Sequence, residues 1–210
     1  MIENIFRIDG LFYRVMMKIW HLLLLNFLML IFSLPLITIG AAQTAGFTVT
    51  TRMITKNETH LTTTFISSFK KNFKQSTMVW GILLVISSIL IINWNYVVHF
   101  QQLHSWLIVG LGLVTLLVMN ISQYAFFYLS RFDDSLKQML RNLLKLLLRY
   151  PISSLFLIGV WLAPISVMVL SPYAFVFGMY MSCFLGISFI HFLRTYLLLA
   201  IFDKVVKQTN

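Results

Sequence analysis

The sequence predicts an all-α membrane protein, a polytopic helical bundle forming a single integral membrane domain over residues 1–210. Two observations predict it. Hydrophobic residues make up 59% of the chain and charged residues only 10%, more apolar surface than a water-soluble fold of this length can hide. The sixteen Lys and Arg residues gather in clusters, and six apolar stretches can be threaded between them so that every cluster falls on one side of a bilayer. The clusters are Arg7, Arg14 and Lys18; Arg52, Lys56, Lys70, Lys71 and Lys74; Arg131, Lys137, Arg141, Lys145 and Arg149; and Arg194, Lys204 and Lys207. Basic residues in short loops stay cytoplasmic, so the chain is expected to be multi-pass with both termini inside.

The elements follow as three repeat-like units, residues 1–53, 61–129 and 132–203. Each is a basic segment at the inner surface, a helix going out, a tight turn and a helix coming back. In the first unit residues 20–34 go out and 36–51 return, around Pro35 and Gly40. That return leg, rich in threonine and small residues, is much less apolar than the rest. Six spans are expected, with five, or a re-entrant first hairpin covered by protein, as the alternatives. In the second unit residues 78–97 go out, the loop with Asn95, His99 and His104 carries no Lys or Arg, and 106–128 return. In the third, residues 152–170 go out with a kink expected at Pro164, Ser171 and Pro172 turn, and 173–193 return, the helix continuing to Ile201. Trp20, Trp80, Tyr128, Tyr150 and Tyr196 then fall near the inner boundary and Trp94, Tyr96, Trp106 and Tyr173 near the outer one, where amphipathic rings belong.

Two basic amphipathic segments are expected to lie at the interface. Over residues 61–75, Leu61, Phe65, Ile66, Phe69 and Phe73 share one helical face and Lys70, Lys71 and Lys74 the other. Over residues 132–149, Phe132, Leu136, Met139, Leu140, Leu143 and Leu147 form an apolar stripe edged by Lys137, Arg141, Lys145 and Arg149. Asp133 and Asp134 suit the N-terminus of that second helix. A third segment, residues 5–17, is interrupted by Gly10. The N-terminus resembles a secretory signal up to Gly40, Ala41 and Ala42, but cleavage there would export the basic cluster that follows, so it reads as retained.

Anionic lipid headgroups are the expected partners of the basic residues, and the net charge of +10 is not read as nucleic-acid binding because no docking motif accompanies it. Cys183, the single cysteine, excludes an internal disulfide and paired-thiolate zinc ligation, and no cofactor is expected. All six acidic residues, Glu3, Asp9, Glu58, Asp133, Asp134 and Asp203, lie outside the expected hydrocarbon region. This disfavours a proton- or sodium-coupled carrier and removes the acid–base pairs of hydrolytic chemistry, so the chain reads as a non-enzyme. His99 and His104, five apart, do not share a helical face and make a poor metal pair.

Two sets of residues stand out. Ala41, Ala42, Ala45 and Gly46 give overlapping small-xxx-small steps that serve either internal helix packing or the docking of a partner, for which Phe69, Lys70, Phe73 and Lys74 are further candidates. Asn120, Gln123, His191 and Arg194 form a candidate polar pocket, each pair three apart on one helix. The plainer reading is hydrogen bonding between helices, with Arg194 snorkelling to lipid phosphates. Asn26, Asn93 and Asn95 carry the same two readings.

Leu25-Asn26 followed by the run from Leu34 through Pro35, Leu36, Ile37, Thr38 and Ile39 to Gly40 resembles the YesL-like family of bacterial membrane proteins of unknown function. The stretch Phe69-Lys70-Lys71-Asn72-Phe73-Lys74-Gln75-Ser76 agrees with that family's basic, Phe-containing segment, whereas Ala41 departs from the Pro found in many relatives. The resemblance implies a bacterial plasma-membrane protein encoded near carbohydrate-importing ABC transporters, and hence a non-catalytic accessory subunit contacting the importer's membrane-spanning part. The alternative is a small-molecule-binding protein similar to the substrate-capture component of a vitamin importer, with Asn120, Gln123 and His191 converging on a pocket.

Overall fold

A computed structural model describes residues 11–55, 60–100 and 105–207. The expectations for Arg7, Lys56, His104, Glu3, Asp9, Glu58 and Gly10 fall outside the described residues. Every regular element among those described is helical: α1 (Leu11–Ser33), a 3-10 turn (Leu36–Thr38), α2 (Ile39–Thr55), α3 (Leu61–Phe100), α4 (Ser105–Arg131), α5 (Leu136–Arg149), α6 (Pro151–Leu170), α7 (Pro172–Met181) and α8 (Ile187–Lys207). A π-helical turn, Ser182–Gly186, joins α7 to α8 into one continuous run. Five helical runs are long and apolar enough to cross a bilayer: Phe12–Ser33, Leu61–His99, Trp106–Arg131, Pro151–Leu170 and Pro172–Lys204. The chain is a multi-pass helical membrane bundle.

The expected sixth span, α2, is the low-hydropathy return leg; by length and composition it does not qualify to cross a bilayer, and it sits at the centre. Its 17 residues contact α1, α3, α4 and α8, and ten of them are buried, including Ala41, Ala42, Ala45, Gly46 and Phe47. The polarity that sets α2 apart is used internally. Thr44 Oγ1 lies 2.8 Å from Ser76 Oγ, Thr48 Oγ1 2.7 Å from Ser68 Oγ, and Thr50 Oγ1 2.7 Å from Thr195 Oγ1. Each of these hydroxyls also bonds a carbonyl one turn back in α2 at 2.9–3.1 Å, so the helix leaves few polar groups unsatisfied.

These pairings fix the register of α2. Its start meets α3 near Trp80, whose Nε1 donates to Leu36 O at 2.8 Å, and its end meets α3 at Thr64, which Arg52 reaches at 3.3 Å. α2 therefore runs beside residues 61–80, the basic half of α3, and not beside the apolar half that follows. The first hairpin thus differs from the second, in which the apolar half of α3 pairs with α4. At its tip Pro35 breaks the helix and Thr38 Oγ1 donates to Phe32 O and Pro35 O at 2.6 and 2.7 Å.

The first expected interfacial helix is not a separate element. Residues 61–75 are the start of the 40-residue α3, because the sequence between them and the apolar stretch, Gln75-Ser76-Thr77-Met78, holds no Gly or Pro to stop a helix. Nor is most of its Phe face left open: Phe65 is buried and Phe69 half-buried, while Phe73 is exposed. Leu61 and Phe65 are buried against Leu22, Leu25, Met29, Ala42, Ala45, Val49 and Met53, and Phe32 packs edge-on against Phe65 and Phe69 at 5.4 and 4.9 Å. At 1.5 Å per residue α3 is about 60 Å long, about twice a hydrocarbon layer.

The opposite ends of α3 are tied to α4. Trp94 Nε1 donates to Thr115 Oγ1 at 2.9 Å near one end. Near the other, Lys71 pairs with Asp133 at 2.8 Å and Gln75 Nε2 donates to Asp134 O at 2.7 Å. Asp134 also accepts from the Tyr128 hydroxyl in a short hydrogen bond. The two aspartates thus brace α3 and α4, while Ser135 caps α5 by accepting from Gln138 N. Of the α5 apolar stripe, Met139 and Leu143, joined by Leu146, are buried in a core with Phe47, Phe127, Leu157, Leu198 and Phe202, and Leu136, Leu147 and Phe132 pack against it. Leu140, Leu144 and Leu148 stay exposed beside the basic edge. α6 continues as helix through Pro164.

Gly40 marks the closest approach of α2 to α3. A Cβ there would stand 2.6 Å from Ser76 O and 2.7 Å from the Trp80 Cβ, whereas one at Gly81 would meet nothing within 4 Å. Gly40→Ala is therefore expected to lower stability by about 1–3 kcal/mol through forced separation of the helices, and Gly81→Ala to be neutral or stabilising by up to about 1 kcal/mol. Thermal unfolding of the two variants in detergent checks this; equal melting midpoints would contradict the close approach.

Candidate functional site

Three of the four expected pocket residues meet where α2, α4 and α8 cross. On α8, His191 and Arg194 share a face, and Thr195 Oγ1 bonds back to His191 O at 2.7 Å. This face lies against the small side of α2, where Gly46 leaves room: a Cβ on it would stand 2.9 Å from Met29 Sδ and 3.5 Å from the His191 ring. His191 Nε2 makes a short hydrogen bond to Gln43 Oε1, and its ring lies 4.2 Å from that of Phe47.

Arg194 is 6% exposed. It does not snorkel: its guanidinium sits over the Phe47 ring, 5.2 Å from the centroid, and Nη2 donates to Gln123 O at 3.3 Å. The described carboxylates are engaged elsewhere, Asp133 with Lys71, Asp134 with Tyr128 and Asp203 with Arg131. The buried cation is thus held by an aromatic face and a carbonyl rather than by an acid. Snorkelling fails because α8 turns this face toward α2 and α4, while Tyr196, two residues on, is 63% exposed.

Asn120 is buried on α4 but bonds its own helix, donating to Leu116 O at 2.8 Å, and no bond brings it to His191 or Arg194. Four buried atoms of the set, Asn120 Oδ1, Gln123 Oε1, His191 Nδ1 and Arg194 Nε, have no hydrogen-bond partner among the described residues. Sequence reasoning missed Gln43 and Phe47. Gln43 had a signal, as the one long polar side chain within the small-residue stretch of α2; Phe47 had none, since an aromatic residue in an apolar helix looks like any other.

Asn26 carries the other polar crossing. It is wholly buried on α1 and its Nδ2 donates to Ser182 O at 3.0 Å and Cys183 O at 2.7 Å, while Ser188 N donates to Asn26 Oδ1 at 3.0 Å. The π turn widens the helix there and leaves backbone groups without their usual partners, and the Asn26 amide takes them up. Asn93 bonds its own helix at Ile89 O, and His99 Nδ1 lies 2.9 Å from Asn95 O.

The small-residue face is filled from within. Ala41, Ala42 and Ala45 have no exposed surface, so internal packing, not a partner, occupies it. Of the further interface candidates, Phe69 is half-buried in the core, whereas Lys70, Phe73 and Lys74 are exposed.

Residues 22–94 match the model of a protein family described as of unknown function, DUF624. That stretch holds most of α1, α2, most of α3 and hence Asn26, the small-residue face and the Phe-containing half of α3; α4 to α8 lie outside it. No curated protein and no solved structure matches the chain.

The Gln43–His191 pair is expected to be a genuine interhelical coupling. A double-mutant cycle with Gln43→Leu and His191→Phe, read by unfolding in mixed micelles, should return a coupling energy of about 0.6–2 kcal/mol. Additive effects would show that the two side chains are neighbours only.

Proposed function

We propose that the protein is a non-catalytic accessory subunit of the bacterial plasma membrane, with its basic clusters and termini facing the cytoplasm, that acts by contact with another membrane protein. Its resemblance to the YesL-like proteins points to the membrane-spanning part of a carbohydrate-importing ABC transporter as that partner. The observation that carries this reading is the closure of the polar interior: Gln123, His191 and Arg194 are each at most 6% exposed and knit α2, α4 and α8 together. A face free to engage a partner is then sought outside. The Lys70, Phe73 and Lys74 edge of α3 provides one, with Phe73 40% exposed beside two cations on the basic half of α3.

One feature favours the second reading, capture of a small molecule. A cavity of about 380 Å³ between α3, α4 and α6 is lined by Trp80, Trp94 and Trp161 and reaches Gln123, whose Oε1 is unpaired. An apolar molecule with a single hydrogen-bond donor would fit it.

Affinity purification in mild detergent followed by mass spectrometry tests the two. Importer membrane subunits should co-purify, and Phe73→Glu should reduce their recovery several-fold without changing the melting midpoint. Recovery of the protein alone, carrying a small ligand that Gln123→Leu abolishes, would reject the accessory role.

A further inference from the structure

A cleft of about 490 Å³ lies between the basic half of α3, the C-terminal half of α2 and the end of α4. Ten described residues line it, every one a hydroxyl, amide, imidazole or cationic side chain and none acidic. In a chain that is 59% hydrophobic, an all-polar wall is not a by-product of packing. Three other cavities are mostly apolar, among them the Val79, Leu83 and Met139 groove, which has no polar lining at all.

We propose that this cleft binds a phosphate ester. Arg52 supplies a guanidinium, whose five N–H groups in a planar fork match phosphate oxygens. Its Nη1 lies 3.3 Å from Thr64 Oγ1, which sets it against the wall of the cleft. Lys71 adds an ammonium. Its ion pair with Asp133 is 63% and 71% exposed, so water screens it and it holds the ammonium only weakly against a phosphate that Arg52 also engages. The wall between these cations is fixed. Thr48 and Ser68 bond each other at 2.7 Å, and Asn72 Nδ2 donates to Ser68 O at 3.1 Å. His60 contributes a ring nitrogen at the rim.

None of the described lining residues is a carboxylate that would repel an anion, and none is a Trp, Tyr or Phe on which a bare sugar could stack. The volume exceeds what a phosphate needs and leaves room for the alcohol part of an ester, which the serine and threonine hydroxyls can bond. Such a group arrives either as a soluble sugar or glycerol phosphate or as the headgroup of an anionic lipid. The inference does not depend on the importer partner proposed above.

The test uses the full-length protein, delipidated in dodecyl maltoside. Inorganic phosphate, glycerol 3-phosphate and a short-chain phosphatidylglycerol are titrated separately, with binding read by calorimetry and by the melting midpoint. At least one ester should bind saturably. Arg52→Gln should weaken it by about tenfold or more, as loss of a charge-assisted hydrogen bond does. Ser67→Asp, at an exposed position of the lining, should abolish binding without unfolding the protein, and Lys145→Gln on α5 should leave it unchanged. Binding of glycerol 3-phosphate assigns a soluble ligand; binding of phosphatidylglycerol with no competition from glycerol 3-phosphate assigns a lipid headgroup. Absence of binding by all three probes, or binding indifferent to both Ser67→Asp and Arg52→Gln, would overturn the proposal.

Discussion

The close enclosure of α2 is the constraint on which the rest of the structure depends. A helix with alanine and glycine on its packing face lets neighbouring backbones approach, and threonine hydroxyls then replace the apolar contact that larger side chains would have made. α3 and α8 each engage α2 through a direct pair of hydroxyls, at Ser68 and Ser76 on α3 and Thr195 on α8. The Phe47 ring, wholly buried on the same helix, carries the contact onward to Phe127 of α4 and to Arg194. A more apolar α2 would suit a bilayer better, but it would lose the short, directional bonds that set the register of its neighbours.

Much of the architecture was legible in the sequence. Apolar runs bounded by Pro35, by the unbasic loop after Asn95 and by Ser171-Pro172 fall where helices end, because those residues act locally. The role of residues 61–75 was not legible. A phenylalanine stripe opposite a lysine stripe has the same period whether the stripe faces acyl chains or another helix, and only the presence of Phe32 and Leu25 beside Phe65 distinguishes the two. The small-residue steps at Ala41 and Ala45 announced a close approach without saying whether the approaching helix belongs to the same chain. His191 and Arg194 were visible as a pair, and their spacing fixed their common face. Their partners Gln43 and Phe47 lie about 150 residues away and are joined to them only by tertiary packing.

The interior polar groups divide by how fully they are satisfied. Asn26 uses both ends of its amide, so it fastens α1 to the π turn and leaves nothing over. The His191 and Arg194 crossing keeps unpaired atoms on both side chains and on Gln123. In a low-dielectric interior an incompletely bonded cluster is costly, and a fold retains it where the geometry of the crossing matters more than the last increment of stability.

The unbroken length of α3 has a mechanical consequence. A helix resists bending, so the segment starting at Leu61 and the segment ending at Phe100 move as one rod, pivoting where Gln75 is bonded to Asp134 in the link between α4 and α5. A tilt of about 10° in the apolar half would swing the Leu61 end sideways by roughly 3–4 Å, given about 20 Å of lever beyond the pivot. Changes in bilayer thickness, which alter the tilt of long apolar helices, would thereby be translated into lateral displacement at the water-facing extremity.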